Sequence, residues 1–202
     1  MPSLYQLKPA FQRLLRPAVG RLARAGVTAN QVTVSAALLS LGVGAAIAWR
    51  PGEPRLLLLL PAALLARMAL NAADGMLARE HGMKSRLGAL LNELGDAVSD
   101  AALYLPLAAV PGFPAALQAA AVALALITEV AGLAALAVGA QRRYDGPMGK
   151  SDRALVYGAV GFALGLGVPA GGWLTAVVAA VALLAAVTVV QRLRRALAEA
   201  AR

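Results

Sequence analysis

Six apolar stretches, at about 30–49, 56–78, 87–110, 115–139, 153–168 and 173–191, take up most of this 202-residue chain. Each is near the ~20 residues that a helix needs to cross a bilayer's hydrocarbon. Few folds are open to such a chain, because lipid cannot satisfy a bare backbone, so the spanning segments must bond internally. The expected class is all-α: a polytopic membrane protein with six transmembrane helices. Residues 28–202 would form one membrane domain, led in by an N-terminal segment, 1–27. With 60% hydrophobic and 14% charged residues, no length is left over for a separate soluble domain. The chain has no cysteine, which removes disulfides and thiolate metal sites. The first 25 residues are too basic and too interrupted for a cleaved signal peptide.

The net charge of +9 could suggest nucleic acid, but its distribution points to a membrane. Lys8, Arg13, Arg16, Arg21 and Arg24 precede the first stretch. Arg79, Lys84 and Arg86 separate the second and third; Arg142, Arg143, Lys150 and Arg153 separate the fourth and fifth. Arg192, Arg194, Arg195 and Arg202 close the chain, whereas the opposite side carries only Arg50 and Arg55. This is the positive-inside asymmetry expected of six helices with both termini cytoplasmic. Trp49 and Trp173 fall at the expected outer interface. Nucleic acid is not expected as a partner; membrane lipid is.

Between residues 4 and 24, Leu4, Leu7, Phe11, Leu14, Leu15, Ala18 and Leu22 recur at helical spacing. Lys8, Gln12, Arg16 and Arg24 fall largely opposite. The spacing predicts an amphipathic interfacial helix on anionic lipid, the alternative being a solvated basic leader. Pro9 and Pro17 predict a break or kink in it. Thr28 or Asn30 can cap the following helix.

One polar pattern interrupts the apolar stretches: Asn71-x2-Asp74-Gly75-x2-Ala78-Arg79, then eight residues, then Gly88-x3-Asn92-x3-Asp96. Acids and amides at membrane depth are expensive and mark function. On a helix, Arg67, Asn71, Asp74, Gly75 and Ala78 form one stripe; Asn92, Asp96 and Asp100 form a second on the next helix. The short turn Glu80–Ser85 makes the two helices antiparallel neighbours with facing polar ends. Oxygen-bearing stripes in that relation suit a hard divalent cation such as Mg2+. Gly75, Ala78 and Gly88 lack bulk and let a nucleotide approach the backbone, and Arg79 is placed to neutralise a diphosphate.

The pattern resembles the signature of the CDP-alcohol phosphotransferases, D-x2-D-G-x2-A-R-x8-G-x3-D-x3-D. Every other position is in frame, with Asn71 and Asn92 in place of two aspartates. Thr28-x-Asn30-x-x-Thr33 adds softer support. The resemblance implies a phosphatidyltransferase: phosphatidyl passes from CDP-diacylglycerol to a hydroxyl acceptor, CMP leaves, and Mg2+ or Mn2+ assists. It implies Asp96 as general base and Asp74, Asp96, Asn71 and Asn92 at the metal. Gly75, Ala78, Arg79, Gly88, Thr33 and Asp100 would bind the CDP moiety, in an active site facing the cytoplasm. With two carboxylates in place of four, a weaker metal site is expected, and one ion or two remain open. Family members are commonly homodimers.

The loop from Gln141 to Arg153 resembles the stretch that opens the fifth span in parts of the family. Its Arg143, Lys150 and Arg153 could bind an acceptor, an alcohol or an alcohol phosphate. Alternatively they serve topology and lipid anchoring. Glu93, Asp100 and Glu129 could compensate for the missing carboxylates, or Glu129 could be a paired acid bridging helices, facing Arg67 for instance. His81 is an ordinary turn residue. The alternative to an enzyme is a catalytically silent, lipid-binding scaffold. A transporter is disfavoured because the polar cluster lies near the helix ends rather than at the midplane.

Overall fold

A computed structural model describes residues 4–201, with side chains from residue 10 onward. Leu4, Leu7 and Lys8 of the amphipathic pattern, and Arg202 of the cytoplasmic charge set, therefore lie outside the described side chains. The described chain is all-helical: α1 (Leu4–Arg24), α2 (Ala29–Trp49), α3 (Leu59–Glu80), α4 (Arg86–Tyr104), α5 (Ala115–Ala134), α6 (Lys150–Gly165) and α7 (Gly172–Ala200). Short 3-10 turns at Pro54–Leu58, Leu105–Ala109 and Ala135–Val138 extend three of these junctions.

Among the described residues, four helical segments are long and apolar enough to cross a membrane: Ala29–Trp49, Pro54–Glu80, Ala115–Val138 and Gly172–Ala200. The other two expected spans form helices where the sequence places them, yet fall short of that standard. In α4 the cause is the polar pattern itself, since Asn92, Glu93, Asp96 and Asp100 all lie on it. In α6 it is length, 16 residues beginning Lys-Ser-Asp-Arg. Leu38, Leu65, Leu94, Leu155 and Leu183, each more than 60% exposed, show how much apolar surface faces outward. A soluble chain would not leave so much in water. This is a multi-pass membrane protein.

By its contacts the chain divides into two compact units, the chain up to Leu41 with Ala63–Ser99, and Gly42–Ala62 with Asp100 onward. In the first, α1 seats Leu15, Val19 and Ala23 against Ala29 and Val32 of α2 and Ala73, Met76 and Leu77 of α3. Arg16 fastens it with a fork, Nε 3.0 Å and Nη2 2.9 Å from the two Glu80 carboxylate oxygens. Helix α1 runs through Pro9 and Pro17 as one element, so of the expected break or kink the break does not occur. Pro17 and Arg13 are both exposed, so water can take the carbonyl that proline leaves unbonded.

Local signals set the helix starts here. Thr28 and Gln31 form a capping box, with Thr28 Oγ1 3.3 Å from the Gln31 amide and Gln31 Oε1 2.8 Å from the Thr28 amide. Helix α3 ends where Gly82 takes φ +69° and the amides of His81 and Met83 both bond to the Leu77 carbonyl. Ser85 then caps α4, its Oγ 2.9 Å from the Gly88 amide.

In the second unit, α5 and α7 pack along their length and carry the loop before α6. That loop is held by a buried bond from the Met148 amide to Thr188 Oγ1 at 3.0 Å and by an exposed one from the Gln141 amide to Glu199 at 3.0 Å. Asp152 reaches back to the Gly149 amide at 2.9 Å and starts α6.

Candidate functional site

The two polar stripes meet. Asn71 on α3 donates from Nδ2 to Asp96 Oδ1 on α4 at 3.1 Å, both within the first unit. The same Oδ1 lies 3.0 Å from Arg67 Nη2, which also bonds to the Asp96 carbonyl at 3.1 Å. Arg67 and Asp96 are 4% and 6% exposed, so this is a buried ion pair. One turn beyond Asn71 stands Asp74, also buried, with Oδ2 2.8 Å from the Thr33 hydroxyl of α2. Thr33 lies 3.0 Å from the Ala29 carbonyl as well, so its single proton is shared between two acceptors. Asn92 sits one turn before Asp96 on α4, half-buried.

The small residues of the pattern have packing reasons of their own. A Cβ added to Gly88 would come 2.6 Å from Asn30 Oδ1 and 3.0 Å from Ser85 Oγ. Glycine there lets α2 and α4 approach, with Asn30 and Ser85 3.5 Å apart. Over Gly75 lies the guanidinium of Arg79, one turn on, whose Nη atoms would sit 3.2 Å from an added Cβ. Arg79 is exposed and Ala78 half-buried at the end of α3.

The expected acceptor residues occupy a different setting, inside the second unit. Arg153 is fully buried and all five of its N–H groups are used. Nε and Nη2 bond to Asp100 Oδ2 at 3.2 and 2.7 Å, and Nη2 to Glu129 Oε1 at 2.9 Å. Nη1 bonds to Thr128 Oγ1 and the Met148 carbonyl, both at 3.1 Å. Glu129 is thus a paired acid bridging helices, with Arg153 beside it and Arg142 and Arg192 at 3.5 and 3.8 Å. Asp100, considered both for CDP binding and as a substitute metal ligand, is bound to the same guanidinium. Arg143 pairs with Glu199 at 2.7 Å and Asp145 at 2.8 Å. Arg192, one of the charges that set the topology, bonds to the Thr128, Asp145 and Tyr144 carbonyls. Its only sequence signal was a charge in an apolar helix. Lys150 opens α6.

A family model for CDP-alcohol phosphatidyltransferases matches residues 26–191. The chain belongs to the CDP-alcohol phosphatidyltransferase family. It is 49% identical over 164 residues to the inner membrane protein YnbA of Escherichia coli (strain K12), covering 81% of each. Its fold is that of Mycobacterium tuberculosis phosphatidylinositol phosphate synthase (PgsA1) with CDP-DAG bound. There the TM-score is 0.78 at 21% identity, over 91% of this chain and 94% of that one. The same synthase in complex with manganese and citrate gives a TM-score of 0.76 at 21% identity, over 90% and 88%.

For a family member, the donor set is short of carboxylate. Among the described residues no group of three or more His, Cys, Asp or Glu side chains could hold a metal. Asp74 and Asp96 remain, with the amides of Asn71 and Asn92. All four bear oxygen, as a hard divalent cation requires, so the residues present suit such an ion.

Proposed function

We propose that this protein transfers the phosphatidyl group of CDP-diacylglycerol to a hydroxyl acceptor and releases CMP. One observation carries the reading: the family's polar pattern, in frame, lies on two helices whose stripes are joined by the Asn71–Asp96 hydrogen bond. The acceptor oxygen attacks the β-phosphorus, the bond from that phosphorus to the CMP oxygen breaks, and Asp96 takes the hydroxyl proton. Arg67 and Asn71, both bonded to Asp96 Oδ1, fix the carboxylate's orientation. Gly75 and Ala78 lack bulk beside the nucleotide, Gly88 lets α2 and α4 approach, Arg79 faces the phosphates, and Thr33 acts through Asp74. Asp74 and Asp96, with Asn71 and Asn92, would hold a Mg2+ or Mn2+ ion. Such an ion supplies positive charge at the diphosphate.

The working arrangement is six spans with α1 on the cytoplasmic leaflet of the inner membrane, both termini and the site facing the cytoplasm. The lysines and arginines gathered on one side support this. So does the ~24 Å that α6 can cover with its 16 residues, near the span of a thin bilayer. A homodimer is the expected assembly. The acceptor is an alcohol or alcohol phosphate, and the five-fold seat of Arg153 gives that side chain a structural task instead of a ligand-binding one.

Protein purified in detergent, given CDP-diacylglycerol, Mg2+ or Mn2+ and a panel of alcohols, should release CMP with at least one acceptor. Asp96→Ala should abolish it. CMP release unchanged in that variant would remove Asp96 as the base, and none with any acceptor would favour the silent scaffold.

A further inference from the structure

The geometry points to Arg67 as the built-in cation of the Asp96 carboxylate, limiting a centre on Asp74 and Asp96 to one divalent ion. This rests on the transferase reading and adds a positioning residue that the polar pattern does not contain. Arg67 lies outside that pattern, one turn before Asn71, on the same face of α3.

A guanidinium only 4% exposed in an apolar helix has to be neutralised, and Asp96 is an acid beside it. Its Nη2 is 3.0 Å from Oδ1 and 3.1 Å from the main-chain carbonyl of the same residue, so Arg67 is tied to both side chain and backbone. Asn71 completes the arrangement. Its amide N–H meets Oδ1 at 3.1 Å, at the point where an aspartate would set carboxylate against carboxylate. Two carboxylates at that separation need a cation or a shared proton between them. An amide donor beside an arginine does not. The amide at 71 and the arginine at 67 are therefore two halves of one solution.

Charge arithmetic leads the same way. Asp74 and Asp96 carry −2 and Arg67 +1, a net −1 for the buried set. One divalent ion brings it to +1; two would bring it to +3 with a guanidinium already on the shared carboxylate. Repulsion of that kind at contact distance in a poorly solvated site amounts to several kcal/mol.

Mn2+ bound per chain, counted by equilibrium dialysis and electron paramagnetic resonance on the detergent-purified protein, tests this without substrate. The wild-type chain and Arg67→Lys should each bind one ion. Asn71→Asp with Asn92→Asp should bind one ion more tightly, because Arg67 is still present. Adding Arg67→Met to that pair should raise the count to two. A count other than one in the wild-type chain overturns the inference. So does a second ion in the Asn71→Asp, Asn92→Asp protein, which keeps the native arginine and so does not depend on tolerating its loss. One ion with no CMP release from any acceptor would instead remove the transferase reading and leave Arg67's role intact.

Discussion

Thr33 and Asp74, on different helices and 41 residues apart, are joined by a 2.8 Å hydrogen bond between the hydroxyl and Oδ2. Thr33 stands on α2, one turn past the capping box that starts the helix, so the start of α2 fixes where the hydroxyl meets α3. A donor behind a candidate metal ligand orients it and sets its basicity. Thr33→Val, nearly isosteric, should weaken Mn2+ binding about 10–100-fold, and Thr33→Ser should restore it. Equal Mn2+ affinity in Thr33→Val and wild type would show that Asp74 needs no such support.

The buried Arg67–Asp96 pair allows the structural and chemical roles of Asp96 to be separated. Removing one partner of a buried pair leaves an uncompensated charge and costs about 3–5 kcal/mol. Asp96→Asn should therefore lower the melting temperature and also reduce CMP release by about 10²–10⁴-fold. Combining it with Arg67→Met removes both charges and should recover most of the melting temperature. Activity should not return. Recovery of CMP release in the double variant would mean that the loss came from folding and that another group takes the proton.

Much of this arrangement can be read from the residues in order. The stripes on α3 and α4 follow from helical periodicity, and the Thr28 cap and the Glu80–Ser85 turn follow from local chemistry. What is missing from the sequence is which charges face one another. Arg67 finds Asp96 across 29 residues, and Arg153 finds Asp100 across 53 and Glu129 across 24. No local spacing encodes those distances. The basic loop before α6 looks like a ligand site on charge alone, until packing supplies Arg143 with Glu199 and Asp145 and Arg153 with two acids. The smallness of Gly88 can likewise be read as room for a nucleotide, while the neighbouring Asn30 comes from another helix.

Gly88 is a test of how closely α2 and α4 approach. In Gly88→Ala the new methyl group would lie 2.6 Å from Asn30 Oδ1 and 3.0 Å from the capping Ser85 Oγ. Overpacking of this kind costs about 1–3 kcal/mol, and here it also disturbs the cap of α4. Thermal unfolding should show that loss, and Asn30→Ala in the same chain should return a good part of it. A double variant no more stable than Gly88→Ala alone would place the strain at Ser85 instead of Asn30.

Arg153 offers the clearest contrast between a ligand-binding arginine and one that holds the fold. Its five N–H groups are used on Asp100, Glu129, Thr128 and Met148, so none remains for an acceptor phosphate. Arg153→Lys keeps the charge but offers three donors from a single nitrogen, which cannot reach acceptors spread around a planar fork. Its melting temperature should fall, and that of Arg153→Met should fall further, with a loss of stability of about 3–5 kcal/mol, because two acids are left facing each other. Neutralising them as well, with Asp100→Asn and Glu129→Gln, should recover part of that loss. The KM for whichever alcohol supports CMP release should stay at the wild-type value in the folded Arg153→Lys protein. A large rise in that KM, specific to phosphorylated alcohols and without loss of stability, would show that the guanidinium leaves its carboxylates to hold the acceptor.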